Sequence, residues 1–385
     1  MLRVLSVFGT RPEAIKMAPV VKELERHPDR IESRVCVTAQ HREMLDQVLD
    51  LFSIVPDHDL EVMRDNQTPT QVASAVLARV EEILRVERPD WVLVQGDTTT
   101  VAVTSLAAFY AGVRVGHVEA GLRTHDKWQP FPEEVNRRIA GVIAERHFAP
   151  TGEARENLLR EGIDGGTILV TGNPVIDALQ WVVARPFDLD ALPVDRAVLE
   201  GGERKLVLVT AHRRENHGPP LERICGALRD LVTRRENPVH VVYPVHLNPN
   251  VWDPVHRLLG DVPHVTLTPP LDYLPLVHLM KRAYLVLTDS GGIQEEAPGL
   301  GVPVLVLREV TERPEAVAAG TVRVVGTGRE RIVTEAARLL DDPTERDRMA
   351  RAVNPYGDGR AGRRIVASLL GEDVAPFAPG IGGGS

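Results

Sequence analysis

Cysteine, aromatic rings, long apolar runs and excess basic charge are all scarce in this 385-residue chain. Its two cysteines, Cys36 and Cys225, each sit inside an apolar stretch, which excludes a disulfide framework and a paired-cysteine metal site. Both are expected as small buried hydrophobes in a reducing cytoplasm. A formal charge of −9 removes the broad basic field that nucleic acid or an anionic membrane surface requires, so neither partner is expected. Any anion it binds must be gripped locally. No apolar run approaches the roughly 18 residues of a membrane span, and the N-terminus passes directly into a strand-like run, so no targeting segment is expected either. GxGxxG after a strand and HExxH are both absent, and the acidic triplet Asp188-Leu189-Asp190 falls in a linker rather than at a strand end. Neither a bound dinucleotide nor metal-dependent chemistry is therefore expected.

What is present is an ordinary folded composition, 43% hydrophobic and 26% charged. At roughly 100–200 residues per domain, the length implies two domains. Short Val/Leu-rich runs alternate with longer amphipathic ones, the pattern of βα repeats around parallel sheets buried on both faces. The fold class is α/β. Strands are expected at 2–8, 33–38, 91–95, 113–118, 147–149 and 168–170, with helices from 12 to about 26 and at 41–51, 69–86, 99–110 and 133–144. After a Pro/Gly-rich linker the pattern restarts, with strands at 205–210, 240–243, 264–268, 284–288, 302–307 and 321–325 and helices including 221–235, 291–300 and 329–340. Two Rossmann-like domains facing across a cleft are expected, residues 1–183 and 205–358 joined by the linker 184–204, with a flexible tail at 372–385. In such sheets ligands bind beyond the carboxyl ends of the strands, so the polar residues just after each strand carry the functional expectation.

The first strand runs into Gly9-Thr10-Arg11-Pro12-Glu13, with Lys16 on the opening helical turn. Glycine, a helix N-terminus and two cations suit a phosphate; a plain helix start with Arg11 in solvent is the equal alternative. Asp97, in Gln95-Gly96-Asp97-Thr98, reads by itself as a helix cap. Glu119, between small residues at the end of the next strand, has no evident structural duty, and Glu133 and Glu134 open a helix soon after. Converging carboxylates have pKa values pushed apart, which suits divided acid and base roles. In the second half His212, followed by Arg213, and then His246 stand at strand ends. The segment Asp289-Ser290-Gly291-Gly292 presents bare N–H groups to a phosphate, with Glu296 placed to accept from ribose hydroxyls. A Ser-capped helix with Glu295 and Glu296 in solvent is the bland reading. Arg313 follows the next strand and is offered to the same site or to Glu296.

Together FGTRPEAIKMAPV, QGDTTT, HVEAGLR, PEEVNR, TGNPVID, TAHRREN, DSGGIQEEAPGLGVPVL and TERPEA closely resemble the non-hydrolysing bacterial UDP-N-acetylglucosamine 2-epimerases, in order over residues 1–370. The resemblance implies a fold like the B-type glycosyltransferases (GT-B), a homodimer, and a C-terminal helix within 359–371 that returns to the first domain. It also implies cofactor-free interconversion of UDP-GlcNAc and UDP-ManNAc through elimination of UDP. On that basis Asp97, Glu119 and Glu133 are the acid/base carboxylates, assisted by His212. Arg11, Lys16, Arg213, His246, Ser290, Gly291, Gly292, Glu296 and Arg313 take UDP and substrate. Gln40, His41, Met44, Arg64 and Gln67, with Glu134 and Arg137, match an activating UDP-GlcNAc site. His125-Asp126-Lys127-Trp128 departs from the family pattern, in which many members carry Gly after the Thr. A hydrolysing epimerase, a glycosyltransferase and a non-catalytic sugar-nucleotide sensor are the rivals. Retention of the regulatory motif argues against the first, the carboxylate triad against the second, and the intact acid/base set against the third.

Overall fold

The computed structural model describes residues 1–38, 42–62, 67–234 and 236–380. The chain divides into two compact units, Met1–Gln180 together with the chain from Tyr356 onward, and Trp181–Pro355. Each is built on one wholly parallel sheet.

In the first unit the strands are β1 Leu2–Phe8, β2 Ile31–Val37, β3 His58–Asp59, β4 Trp91–Gln95, β5 Arg114–Val118, β6 Arg146–Ala149 and β7 Ile168–Val170, in the order β3-β2-β1-β4-β5-β6-β7. The second unit holds β8 Lys205–Thr210, β9 Val239–Pro244, β10 Val265–Thr268, β11 Leu285–Thr288, β12 Val304–Val306 and β13 Val322–Val324, in the order β10-β9-β8-β11-β12-β13. Central strands such as β4 are buried at every residue, because helices cover both faces of a parallel sheet. Both units are therefore Rossmann-like, as the alternating pattern implies.

Strand limits at β1, β4, β7 and β8 coincide with those expected from the apolar runs, and the others differ by one or two residues. β3 is the exception. It is two half-exposed residues held in register by Cys36 and Val37, with no apolar run of its own to announce it. The helix expected from Gly291 begins at Ile293, because Gly291 and Gly292 form the turn that leads into it.

The segment 184–204 contains a helical turn, Arg196–Leu199, whose Leu199 is buried. Near the chain's end, helix Ala361–Leu369 packs on helix Arg11–Glu25 through Ala361, Ile365, Val366 and Leu369. An added Cβ at Gly362 would lie 3.0 Å from the Pro19 carbonyl oxygen, so glycine permits the close approach. The first two amides of this helix donate to Asp177 at 3.1 and 2.9 Å. Among the described residues no helix is long and apolar enough to cross a membrane.

Candidate active site

Each strand order reverses direction once, between β1 and β4 in the first sheet and between β8 and β11 in the second. Such a reversal opens a crevice at the carboxyl ends of the two strands, because the connections on either side leave in opposite directions. Arg11, Asp97, His212 and Ser290, singled out from the sequence, stand just after the four strands at these reversals.

At the β1/β4 crevice the chain turns at Gly9, where a Cβ would collide with Thr38 Oγ1. Thr10 then caps helix Arg11–Glu25 in a reciprocal box with Glu13, and Pro12 occupies the first turn. Glu13 does more than answer the helix dipole. Its carboxylate accepts from the Gly9 and Thr10 amides at 3.0 and 2.7 Å and from Thr98 Oγ1 at 2.7 Å, joining the loop after β1 to the loop after β4. Burial pushes its pKa up, partly offset by these donors. Arg11 is half-buried at the first helical position.

Glu119, just beyond β5, is buried in the left-handed backbone region with φ +64°. That conformation is strained for a residue with a Cβ and is held by its side chain's partners. Lys16 Nζ donates to both carboxylate oxygens at 2.7 Å, Asn173 Nδ2 donates to Oε1 at 2.9 Å, and Gln95 Nε2 donates to Oε2. Gly96, with φ +81°, turns the chain beside this carboxylate into the loop that carries Asp97. Buried His117 donates from Nε2 to the Gly96 carbonyl at 2.7 Å, and desolvation drives its pKa down to about 3, so the ring is a neutral strut.

Asp97 is not the helix cap that its position suggests, since Thr98 fills that role by accepting from Val101 N. Instead Arg137 grips Asp97 Oδ2 through Nε at 2.9 Å and Nη2 at 2.6 Å, and Asn136 Nδ2 donates to the Asp97 carbonyl at 2.9 Å. Arg137 is in turn held by fully buried Glu134 at 3.1 Å, whose carboxylate also accepts from the Thr124 and His125 amides. Glu134 and Arg137, assigned by resemblance to the effector site, are thus bonded directly into the Asp97 cluster. Glu133 is half-buried in the first turn of the same helix, Glu133–Ile143.

At the β8/β11 crevice the organising acid is Asp289. It is fully buried, and its Oδ2 accepts from the His212 and Arg213 amides, both at 2.8 Å, and from Asn216 Nδ2 at 2.9 Å. Its Oδ1 lies 3.6 Å from His212 Nδ1, and the His212 ring stacks on His246 at 5.5 Å. Next comes Ser290-Gly291-Gly292. No side chain caps helix Ile293–Gly299, so the Ser-capped reading fails, and Ser290 keeps its hydroxyl out of the cap. The guanidinium nitrogens of Arg213 and Arg313 both stand within 4 Å of where a Gly291 Cβ would be. Two cations therefore flank a glycine turn, an arrangement suited to a diphosphate.

Glu295 and Glu296 are both buried, against the reading of them as solvated charges. Each has a partner on another element. Arg313 Nε donates to Glu295, while Glu296 Oε1 accepts from Tyr273 at 2.8 Å.

Gln40, His41 and Arg64 lie outside the described residues. Met44 is exposed on helix Arg42–Phe52, and Gln67 donates to the Val62 carbonyl at 2.9 Å. Gln95, Asn173, Asp289 and Tyr273 are the groups that sequence reading did not assign. Gln95, Asn173 and Asp289 stand within motifs at strand ends and Tyr273 opens a helix outside them, and each acts on a partner on another element. Among the described residues no cluster of three His, Cys, Asp or Glu side chains is arranged to hold a metal ion.

Comparison with known proteins adds to this geometry. The family model described as UDP-N-acetylglucosamine 2-epimerase matches residues 22–370. A curated relative from Salmonella typhimurium, named UDP-N-acetylglucosamine 2-epimerase, is 57% identical over 96% of this chain and 98% of its own. The crystal structure of UDP-GlcNAc 2-epimerase from Neisseria meningitidis bound to UDP-GlcNAc superposes with a TM-score of 0.88 at 48% identity, covering 96% of this chain and 100% of that one. The glycotransferase of kitacinnamycin, at 15% identity and a TM-score of 0.62 over 95% of this chain and 99% of its own, shares the fold alone.

Proposed function

Because the chain belongs to the UDP-N-acetylglucosamine 2-epimerase family, we propose that it inverts C2 of UDP-N-acetylglucosamine by eliminating UDP and adding it back. The C2 proton has no adjacent carbonyl and is not acidic, so direct abstraction faces a prohibitive barrier. Loss of UDP from C1 lends the ring oxocarbenium character and makes that proton removable. A carboxylate takes it, leaving 2-acetamidoglucal and UDP. Return of a proton to the opposite face of C2 with re-addition of UDP at C1 gives UDP-N-acetylmannosamine. The route moves a proton and a leaving group, and so asks for no hydride carrier or Lewis acid.

The observation that carries this reading is the pair of neighbouring carboxylates, Glu119 held by Lys16 and two amides, Asp97 held by Arg137. Asp97, Glu119 and Glu133 act as the acid/base set. His212 assists the departing phosphate, and the Asp289 contact keeps its ring oriented. Arg213, Arg313 and the Ser290-Gly291-Gly292 turn take the diphosphate, with Arg11, Lys16 and His246 as further ligands and Glu296 on the ribose. In this assignment the unit Met1–Gln180 with the chain from Tyr356 onward carries the proton chemistry, and Trp181–Pro355 carries UDP.

Incubation with UDP-GlcNAc in D₂O followed by proton NMR tests substrate, product and route together. Deuterium at C2 of both epimers is expected; retention of the original hydrogen removes the elimination route, and free ManNAc makes the enzyme a hydrolase. Activation by UDP-GlcNAc at a second site belongs to the same reading. It predicts that UDP-ManNAc alone reacts slowly until UDP-GlcNAc is added, and an immediate full rate removes it. The enzyme also acts as a homodimer. Val135, Ile139 and Val142 recur at helical spacing on the exposed side of helix Glu133–Ile143, and Phe109 and Tyr110 are exposed at the end of the neighbouring helix Thr99–Tyr110. An apolar stripe of that kind calls for a partner surface.

A further inference from the structure

Asn173 is fully buried in the loop after β7, in the TGNPVID segment, and carries no role in the assignments above. All of its polar groups are engaged. Its backbone N–H donates to the Tyr356 carbonyl at 2.6 Å, its Oδ1 accepts from the Val175 amide at 3.1 Å, and its Nδ2 donates to Glu119 Oε1 at 2.9 Å.

We propose that Asn173 is a positioning residue for epimerisation, and that the returning C-terminal segment, through the Tyr356 carbonyl, sets the orientation of the Glu119 carboxylate. A lysine alone does not set that orientation. The Lys16 ammonium meets both oxygens at the same 2.7 Å, and as a near-spherical charge on a flexible stem it tolerates rotation of the carboxylate about its last bond. Planar amides are directional. Gln95 reaches one oxygen from the end of β4 and Asn173 the other from the loop after β7, so the carboxylate plane is defined from two sides at once.

Asn173 is itself held by its Tyr356 bond. The segment after Tyr356 is tied down where Arg364 donates to the Thr171 carbonyl at 3.1 Å and pairs with Asp358 at 2.7 Å, and where Asp177 takes the amides of Ala361 and Gly362. A residue 237 positions beyond Glu119 in the chain thereby fixes the group that fixes Glu119. This inference rests on the reading of Glu119 as an acid/base group.

Two substitutions separate positioning from helix capping. Asn173→Ser and Asn173→Asp each keep an acceptor for the Val175 amide, but the serine is too short to reach Glu119 and the aspartate opposes it with a like charge. With kcat normalised to sites that bind UDP, each is expected to lose about 10–100-fold in kcat, the cost of a misaligned reacting group, with KM changed less than about threefold. A capping role alone predicts wild-type kcat in both, and either variant within about twofold of wild type overturns the inference. The double variant Glu119→Gln/Asn173→Ser is expected to be no slower than Glu119→Gln, because Asn173 acts through Glu119; additive losses overturn it too. Glu119→Gln separates the two layers. Wild-type turnover there removes the acid/base reading, whereas an inactive Glu119→Gln beside fully active Asn173 variants removes only the positioning role.

Discussion

The two crevices solve the same problem with one device and then use it in opposite ways. In each, a single buried carboxylate stitches together the loops that follow the two strands at the reversal, Glu13 between Gly9, Thr10 and Thr98, and Asp289 between His212, Arg213 and Asn216. Around Glu13 the neighbouring functional groups are carboxylates, each matched to a cation: Glu119 to Lys16, Asp97 to Arg137. Around Asp289 they are Arg213, Arg313, His212 and His246, gathered at a glycine turn. The lesson is that the buried acid is scaffolding in both units, and that the side chains it leaves outside give each crevice its chemistry.

The sharpest way to break this comparison is to exchange the consequences of substitution. Asp97→Asn and Glu119→Gln are expected to lower kcat by about 10²-fold or more with UDP affinity nearly unchanged, as for removal of an acid/base group. Arg313→Ala should do the reverse and weaken UDP binding first, read by titration calorimetry. If Arg313→Ala left UDP affinity intact while Glu119→Gln abolished it, the division of labour would be wrong.

The scaffolding acids come next in size. Asp289→Ala leaves two loop amides and a buried Asn216 amide without their acceptor, at a cost of about 2–4 kcal/mol in stability measured by urea unfolding. It should also lower kcat through His212. A variant as stable and active as wild type would show that Asp289 organises nothing.

His117 supplies a smaller, pH-dependent effect. Its pKa falls from 6.5 to about 3 on burial. Between those values the unfolded chain takes a proton that the folded chain refuses, so stability declines as pH drops below 6.5, by up to about 1.4 kcal/mol per pH unit from this group. His117→Gln should flatten that part of the stability–pH curve, and an unchanged slope would assign the acid sensitivity elsewhere. Least disruptive to the fold is Val142→Asp, which should leave the melting of each unit near wild type and shift the sedimentation mass from dimer to monomer.

Much of this was legible in the chain because parallel sheets write themselves plainly. Runs such as Trp91–Gln95 and Lys205–Thr210 are buried on both faces, so their limits are readable from hydrophobicity alone. Asp97, Glu119, His212 and Ser290 draw attention because they stand just after such runs. β3 was not legible, because two half-exposed residues carry no periodic signal and exist as a strand only by pairing with β2. Asp97 and Ser290 both look like helix caps in sequence, and only the structure shows Thr98 doing that work in one case and no side chain in the other.

The sequence by itself determined the repeating βα pattern, hence two parallel sheets and the strand ends where chemistry is to be sought, since burial and turn formation are local properties of a few neighbouring residues. Tertiary structure alone decided who holds whom. Lys16 meets Glu119 across 103 positions, Arg313 donates to Glu295, and Asn173 stands between Tyr356 and Glu119. Those pairings depend on strand order and on which way a helix turns its side chains, and neither is written at any one position of the chain.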